Sequence, residues 1–287
     1  MIRLHDIRYV RLGTTDLAAG ARYATSILGL EEVGATSDSR YFKSDHRDHT
    51  LVFVHGDPAK QCAGFDLEEG GDLDAVAREI DAQNLPVRYG TCEECELRRV
   101  DRFLEFKDPS GNTIDLVVGA RACDRNYAAS RDAGITGFSH IGLRTTNAPR
   151  DEAFWTRICN ARVSDRIGAA PLLRIDAVHH KIALFPSMYP GVQHVNHQVG
   201  DINDVMRAYY FLRERDVRIV FGPGRHPTSS AIFLYFEGPD GMVYEYSTGV
   251  RMIDDEASYV PRQFPFAPDS FCLWGSRPDI AEFRENR

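Results

Sequence analysis

The chain has 287 residues, 43% of them hydrophobic, enough to build one large or two medium-sized cores. Its 42 acidic against 34 basic residues leave a formal charge of −8, which argues against nucleic acid or an anionic membrane surface as a partner and for a small molecule. No apolar run approaches the roughly 20 residues that span a bilayer, the first residues lack a secretory core, and six scattered cysteines (Cys62, Cys92, Cys95, Cys123, Cys159, Cys272) show no disulfide framework, so a cytoplasmic, reducing setting is expected.

In chain order, a short alternating segment at Val10 to Thr15 (VRLGTT) leads into a helix-like stretch, LAAGARYATSILGL. His46, His49 and His55 follow in or beside a charged, turn-rich segment and read as solvated. The run DLEEGGDLD reads as surface and helix N-terminal charge ahead of an amphipathic helix over LDAVAREIDAQNL. Cys92 and Cys95 form CEEC, which invites a zinc or redox reading; with no second pair beside it, the plainer reading is a loop with two free thiols. RFLEFKD and TIDLVV read as strands reversed by a DPSGN turn, and the polar, weakly periodic residues 121–136 read as a linker.

The pattern then begins again. IGLRTT opens at Ile141, 131 residues after VRLGTT opens at Val10, and precedes another helix-like stretch, APRDEAFWTRICNA. A helix over INDVMRAYYFLRER and strands AIFLYFE and MVYEYST around GPDGM follow, and FEGPDGMVYE begins at Phe236, 130 residues after FKDPSGNTID begins at Phe106. Two matches at nearly one spacing indicate a duplication. The expected architecture is α+β: two domains, residues 1–120 and 137–287, each of two βαβββ modules. A Pro- and Phe-rich tail beyond Tyr246 is expected to pack over the second domain.

Oxygen-activating Fe(II) sites favour two imidazoles and one carboxylate on one face, with the other positions open. His140 begins the strand that opens the third module, His194 holds the corresponding place in the fourth, and Glu245 lies on that module's last strand, where residues two apart share a face. His197 competes with His194, and the positional match to His140 favours His194. His179 competes with His180, and alternation favours His180.

The stretch GRHPTSSAIFLYFEGPDGMVYE, residues 224–245, closely resembles the signature of type I extradiol ring-cleavage dioxygenases, in the vicinal oxygen chelate superfamily. His226, Leu234, Tyr235, Pro239, Gly241 and Glu245 fall in place; Gly238 departs, standing where the family usually has Asp, Glu, Asn, Thr or Ala. His179-His180 followed by KIAL also resembles the family's segment before the second ligand. The resemblance is strongest over residues 137–247 and implies one Fe(II), or less favourably Mn(II), on His140, His194 and Glu245. It further implies that His180, His226 and Tyr235 act on the open face, that a catechol is cleaved by O2 beside its hydroxyls, and that the chain forms a homo-oligomer; the side chain missing at Gly142, near the expected ring, with apolar walls around it leads to the expectation that this catechol is substituted or bicyclic. Gly142 and Leu172, with His226 and Tyr235, are expected to bind substrate, and Phe264, Phe266, Phe271 and Trp274 to supply apolar walls. Other superfamily activities are a glyoxalase-like isomerase, cleavage of a non-catecholic ring, or metal-free small-molecule binding; the joint presence of His140, His194, Glu245, His180, His226 and Tyr235 argues against the last. Carried back by the repeat, the three ligands land on Tyr9, near Cys62 and on Asp115, a poor ferrous set, so one metal per chain is expected.

Overall fold

Strand pairing reproduces the duplication. The computed structural model describes residues 1–284. Its first half contributes β1 (Leu4–Thr14), β2 (Glu31–Ala35), β3 (Ser39–Lys43), β4 (Leu51–His55), β5 (Gln61–Leu67), β6 (Val87–Tyr89), β7 (Val100–Lys107) and β8 (Thr113–Ala120), in the sheet order β2-β3-β4-β1-β5-β8-β7-β6. The second contributes β9 (Ile135–Thr145), β10 (Arg162–Ile167), β11 (Ala170–Arg174), β12 (Ile182–Pro186), β13 (Val192–Val199), β14 (Ile219–Arg225), β15 (Ile232–Glu237), β16 (Val243–Thr248) and β17 (Arg262–Phe264), in the order β14-β15-β16-β13-β9-β12-β11-β10-β17. In each sheet the opening strands of two modules pair antiparallel at the centre, β1 with β5 and β9 with β13. Each module then closes by laying its last strand parallel to its first, as β4 on β1 and β16 on β13. The result is four βαβββ modules, as the repeat predicts.

The helices form where caps and apolar spacing agree. Among α1 (Leu17–Arg22), α2 (Leu73–Asp81), α3 (Cys92–Arg98), α4 (Ala148–Ala153) and α5 (Ile202–Arg213), the last starts on a reciprocal Asp201–Asp204 capping box and buries Val205, Ala208 and Leu212, three and four positions apart. The helix-like stretches after β1 and β9 each divide, with α1 and α4 running on into π-helical turns at Tyr23–Leu28 and Phe154–Ile158. These turns reach across to the other half: Phe154 meets Phe106, Trp155 meets Phe65, and the Tyr23 hydroxyl donates to the Glu237 carbonyl at 2.8 Å. One hydrophobic core therefore runs through both halves.

Two local readings are corrected by packing. CEEC is no loop but helix α3, begun by a Thr91–Glu94 capping box, with Cys92 exposed and Cys95 buried. His46 and His55 are exposed as expected, but His49 is buried, stacked on Tyr9 at 5.3 Å and crossed edge-on by Tyr41. The stretch 121–136 is pinned, not free. Tyr127 donates to the Gly29 carbonyl at 2.7 Å, and the Arg131 guanidinium lies 3.9 Å over Phe211. The tail adds β17 to the open edge of β10 in parallel register. No described helix is long and apolar enough to cross a membrane.

Candidate metal centre and active site

Sheet register brings the three ligands together. On the central strands Asn196 of β13 pairs with His140 of β9 on one side and with Glu245 of β16 on the other, while His194, two residues earlier, sits opposite Gly142. His140, His194 and Glu245 are all buried. Their atoms face one point: His140 Nε2 lies 3.1 Å from His194 Nε2 and 3.0 Å from Glu245 Oε2, and His194 Nε2 lies 3.4 Å from Glu245 Oε2. They are the one cluster of metal-ligating side chains that close among the described residues.

These residues fit a divalent cation. His194 Nδ1 contacts the Gln193 side-chain oxygen, which can only accept, so the proton sits on Nδ1 and the Nε2 lone pair points at the site. Burial pushes the His194 imidazole down to about 3, which keeps it in the neutral form a metal needs. Burial alone would raise the Glu245 carboxyl, but His140, His226 and His194 outweigh it and hold the carboxyl well below its usual range. Glu245 Oε2 is buried and receives no hydrogen bond. A negative oxygen and two imidazole nitrogens with no donor between them are a poor arrangement on their own and a good one around a cation.

The competing histidines separate cleanly. His197 points to the other side of β13, where its ring meets Phe138 and neither nitrogen has a partner. His180 lines the cup, its ring 4.2 Å from that of His140, whereas His179 lies behind it against Asp165.

Gly142 has a different part from the one expected. A Cβ there would lie 2.4 Å from His194 Nδ1 and 2.9 Å from the Gln193 side-chain oxygen, so the missing side chain makes room for a metal ligand and not for a substrate ring. Gly142→Ala is expected to displace His194 and weaken metal binding by roughly 10–100-fold, the usual cost of disturbing a ligand's support. Titration of the apo protein with Fe(II) under anaerobic conditions checks this, and unchanged affinity would show that His194 is not the ligand placed here.

Around the open side stand the groups expected to act on substrate. Tyr235 on β15 is buried, its hydroxyl 3.2 Å from His226 Nε2, and burial followed by the Glu245 charge raises its pKa well above the ordinary phenol value. His226 is oriented by the tail: its Nδ1 lies 2.7 Å from the Phe271 carbonyl, which must accept, leaving Nε2 free to take a proton from Tyr235 or from a ligand. Leu172 lines the cup, together with Ile167, Phe185, Phe271 and Phe283. Phe264 and Phe266 pack at the edge of this cluster, and Trp274 is 50% exposed and forms no wall. In their place stands Phe283, which no sequence motif marked; its ring is 4.6 Å from Phe185 and 5.1 Å from Phe271. Glu282 beside it is paired with Arg144 at 2.5 Å. The enclosed space is about 20 Å³, room for about one water.

The first half carries the same register with different chemistry. Tyr9 and Asp115 flank Gly64 as His140 and Glu245 flank Asn196, and Cys62 faces Arg11 as His194 faces Gly142. Here the buried carboxylate takes a fixed cation: Arg98 Nε donates to Asp115 Oδ2 at 2.7 Å, and the Tyr9 hydroxyl donates to the same oxygen at 2.9 Å.

The model of the Glyoxalase/Bleomycin resistance protein/Dioxygenase superfamily matches residues 137–246, the span holding all three ligands. Over nearly the whole chain, the sequence is 26% identical to an iron-dependent extradiol dioxygenase of Rhodococcus jostii, covering 95% of this chain and 96% of that protein. It is 26% identical to a 3-methylcatechol 2,3-dioxygenase of Pseudomonas putida, covering 96% and 98%. The chain is thus similar to the extradiol dioxygenases of this superfamily. Its four modules are the vicinal oxygen chelate fold, shared with the solved Mn(II)-bound glyoxalase from Novosphingobium aromaticivorans at a TM-score of 0.87, 23% identity and 100% and 96% coverage.

Proposed function

We propose that this chain is an extradiol dioxygenase that holds Fe(II) on His140, His194 and Glu245 and opens a substituted catechol with O2 beside its two hydroxyls. The observation that carries the reading is the convergence of those three donors at the floor of an apolar cup whose open side is lined by His180, His226 and Tyr235. Iron is favoured by the donor set, two neutral imidazoles and a carboxylate, and by likeness to an iron-dependent relative; Mn(II) suits similar ligands. A substituted ring suits the apolar walls from Leu172, Phe185 and Phe271 and likeness to a 3-methylcatechol dioxygenase.

When bound, the metal supplies Lewis acidity toward the ring oxygens and a redox route between ring and O2. The protein's own groups do the rest. His226 Nε2 takes up the proton of one ring hydroxyl, and the Tyr235 hydroxyl donates to the oxygen left behind, fixing the ring's orientation. His180, across the cup, stabilises charge that develops on the oxygen side and carries a proton there. Burial of the cup excludes water, which strengthens each of these contacts.

The test is reconstitution with Fe(II) or Mn(II) without oxygen, followed by oxygen uptake and absorbance of the ring-opened product across a panel of catechols. Tyr235→Phe and His226→Ala are expected to keep stoichiometric metal and lose turnover by about 10²–10⁴-fold, the range for a positioned acid–base group. Full oxygen uptake by either variant would remove these residues from the reaction. Absence of uptake by the loaded wild-type protein with every catechol would overturn the function itself.

A further inference from the structure

Behind His180 lies a chain of buried polar groups that contributes no ligand to the metal. His179 Nε2 is 2.9 Å from Asp165 Oδ2, and His179 Nδ1 is 3.1 Å from His180 Nδ1. Asp165 and His179 are fully buried. Asp165 belongs to β10, and the tail clamps it: the Arg262 backbone N–H donates to Oδ1 at 2.9 Å, and the Arg262 guanidinium donates to Oδ1 at 3.1 Å and to Oδ2 at 2.5 Å. A carboxylate so surrounded by donors can only accept.

We infer that Asp165, acting through His179, is a positioning residue that sets which nitrogen of His180 carries the proton, and so whether His180 Nε2 meets the reacting oxygens as an acceptor or a donor. Asp165 accepts, so His179 carries its proton on Nε2. Its Nδ1 is then an acceptor, and the short contact to His180 requires the proton on His180 Nδ1. His180 Nε2 is left with a lone pair and has no hydrogen-bond partner among the described residues. His180 therefore meets a substrate hydroxyl as an acceptor. Once it holds that proton at Nε2 it becomes a donor, and its charge is shared through His179 with Asp165 and not borne alone in an apolar cup. The Arg262 clamp makes the tail part of this device, since β17 places the guanidinium beside β10.

Replacing the carboxylate reverses the order. In Asp165→Asn the side chain can turn its NH₂ toward His179 Nε2. The His179 proton then moves to Nδ1, and His180 must protonate Nε2, presenting a donor where the reaction needs an acceptor. The experiment has two arms. The full-length protein labelled with ¹⁵N and loaded with diamagnetic Zn(II) reports the ring tautomers by long-range ¹H–¹⁵N correlation. The wild type is expected to show His180 protonated at Nδ1 and Asp165→Asn at Nε2. The loaded enzyme is then compared in steady state. Asp165→Asn is expected to lose roughly 10–100-fold in kcat with KM for the catechol little changed, as for other outer partners of site residues. His179→Leu, which keeps the Asp165–Arg262 pair, is expected to lose as much and covers the case in which Asp165→Asn misfolds.

A wild-type His180 protonated at Nε2, or both variants turning over at the wild-type rate, would overturn the inference. The inference builds on the ring-cleavage reading, and the two fail separately. If no catechol is consumed by the wild type, that reading falls, while the tautomer arm still decides whether Asp165 governs His180.

Discussion

Replacing Glu245 by alanine will abolish metal binding and leave the protein folded. The carboxylate is buried, and its Oε2 has no hydrogen-bond donor, so its place in the fold makes sense only with a cation beside it. Affinity should fall by more than the roughly 10–100-fold that follows loss of an outer partner, because a charged donor is removed outright. The same logic has a second consequence for stability. With metal at about a hundred times its dissociation constant, the wild type gains about 2.7 kcal/mol over its apo form, and the variant should gain nothing. Without metal, Glu245→Gln should be at least as stable as the wild type, since it replaces a buried charge by a neutral amide of the same shape. Metal analysis after gel filtration, with urea denaturation in chelator and in added metal, checks both. A Glu245→Ala protein that retains one metal per chain would show that the site lies elsewhere.

The first half should respond in the opposite sense. There Asp115 is fully buried and its cation is built in, Arg98, whose guanidinium also lies 4.0 Å over Phe103 and reaches Glu105 at 3.3 Å. Arg98→Met is expected to cost about 3–5 kcal/mol in the apo protein, because it strands a charge that the Tyr9 hydroxyl alone cannot compensate. Arg98→Met combined with Asp115→Asn should recover most of that loss, since removing both charges leaves no unpaired one. Neither change should alter metal content, which is expected to stay at one per chain. Urea midpoints of the two variants decide the first point: a single variant within about 1 kcal/mol of wild type would mean that Arg98 is not the cation the carboxylate depends on. A second metal per chain, lost on Asp115→Ala, would overturn the stoichiometry.

The two sites differ in a way that explains the asymmetry of the chain. The backbone register is the same in both halves, so each places a carboxylate on the last strand of a module beside the opening strands of two modules. In one half the opening strands carry imidazoles and the carboxylate awaits an ion. In the other they carry Tyr9 and Cys62, and helix α3 delivers an arginine into the gap. Burial and the Asp115 charge raise the Tyr9 phenol and the Cys62 thiol well above their usual values, so both stay protonated and neither is a ready anionic ligand.

Local pattern alone determined a good deal about this protein. The 131- and 130-residue spacings between VRLGTT and IGLRTT and between FKDPSGNTID and FEGPDGMVYE announce the duplication. The period-two alternation of strands puts His140, His194 and Glu245 on inward-facing positions, because side-chain direction in a strand follows from parity. Gly142, by contrast, could be read only as an empty space; which neighbour fills it depends on the register between β9 and β13, set by pairing partners more than 50 residues apart. The same holds for the burial of His49, for Phe283 closing the cup and for Arg98 standing in for a metal. Asp165 is the sharpest case: nothing near DRIGAA suggests chemistry, it reaches His180 only through His179, 14 positions away, and it is held by a tail residue 97 positions away. Such contacts arise from the closing of the sheet edge by β17, an event of tertiary packing that leaves no periodic trace in the chain.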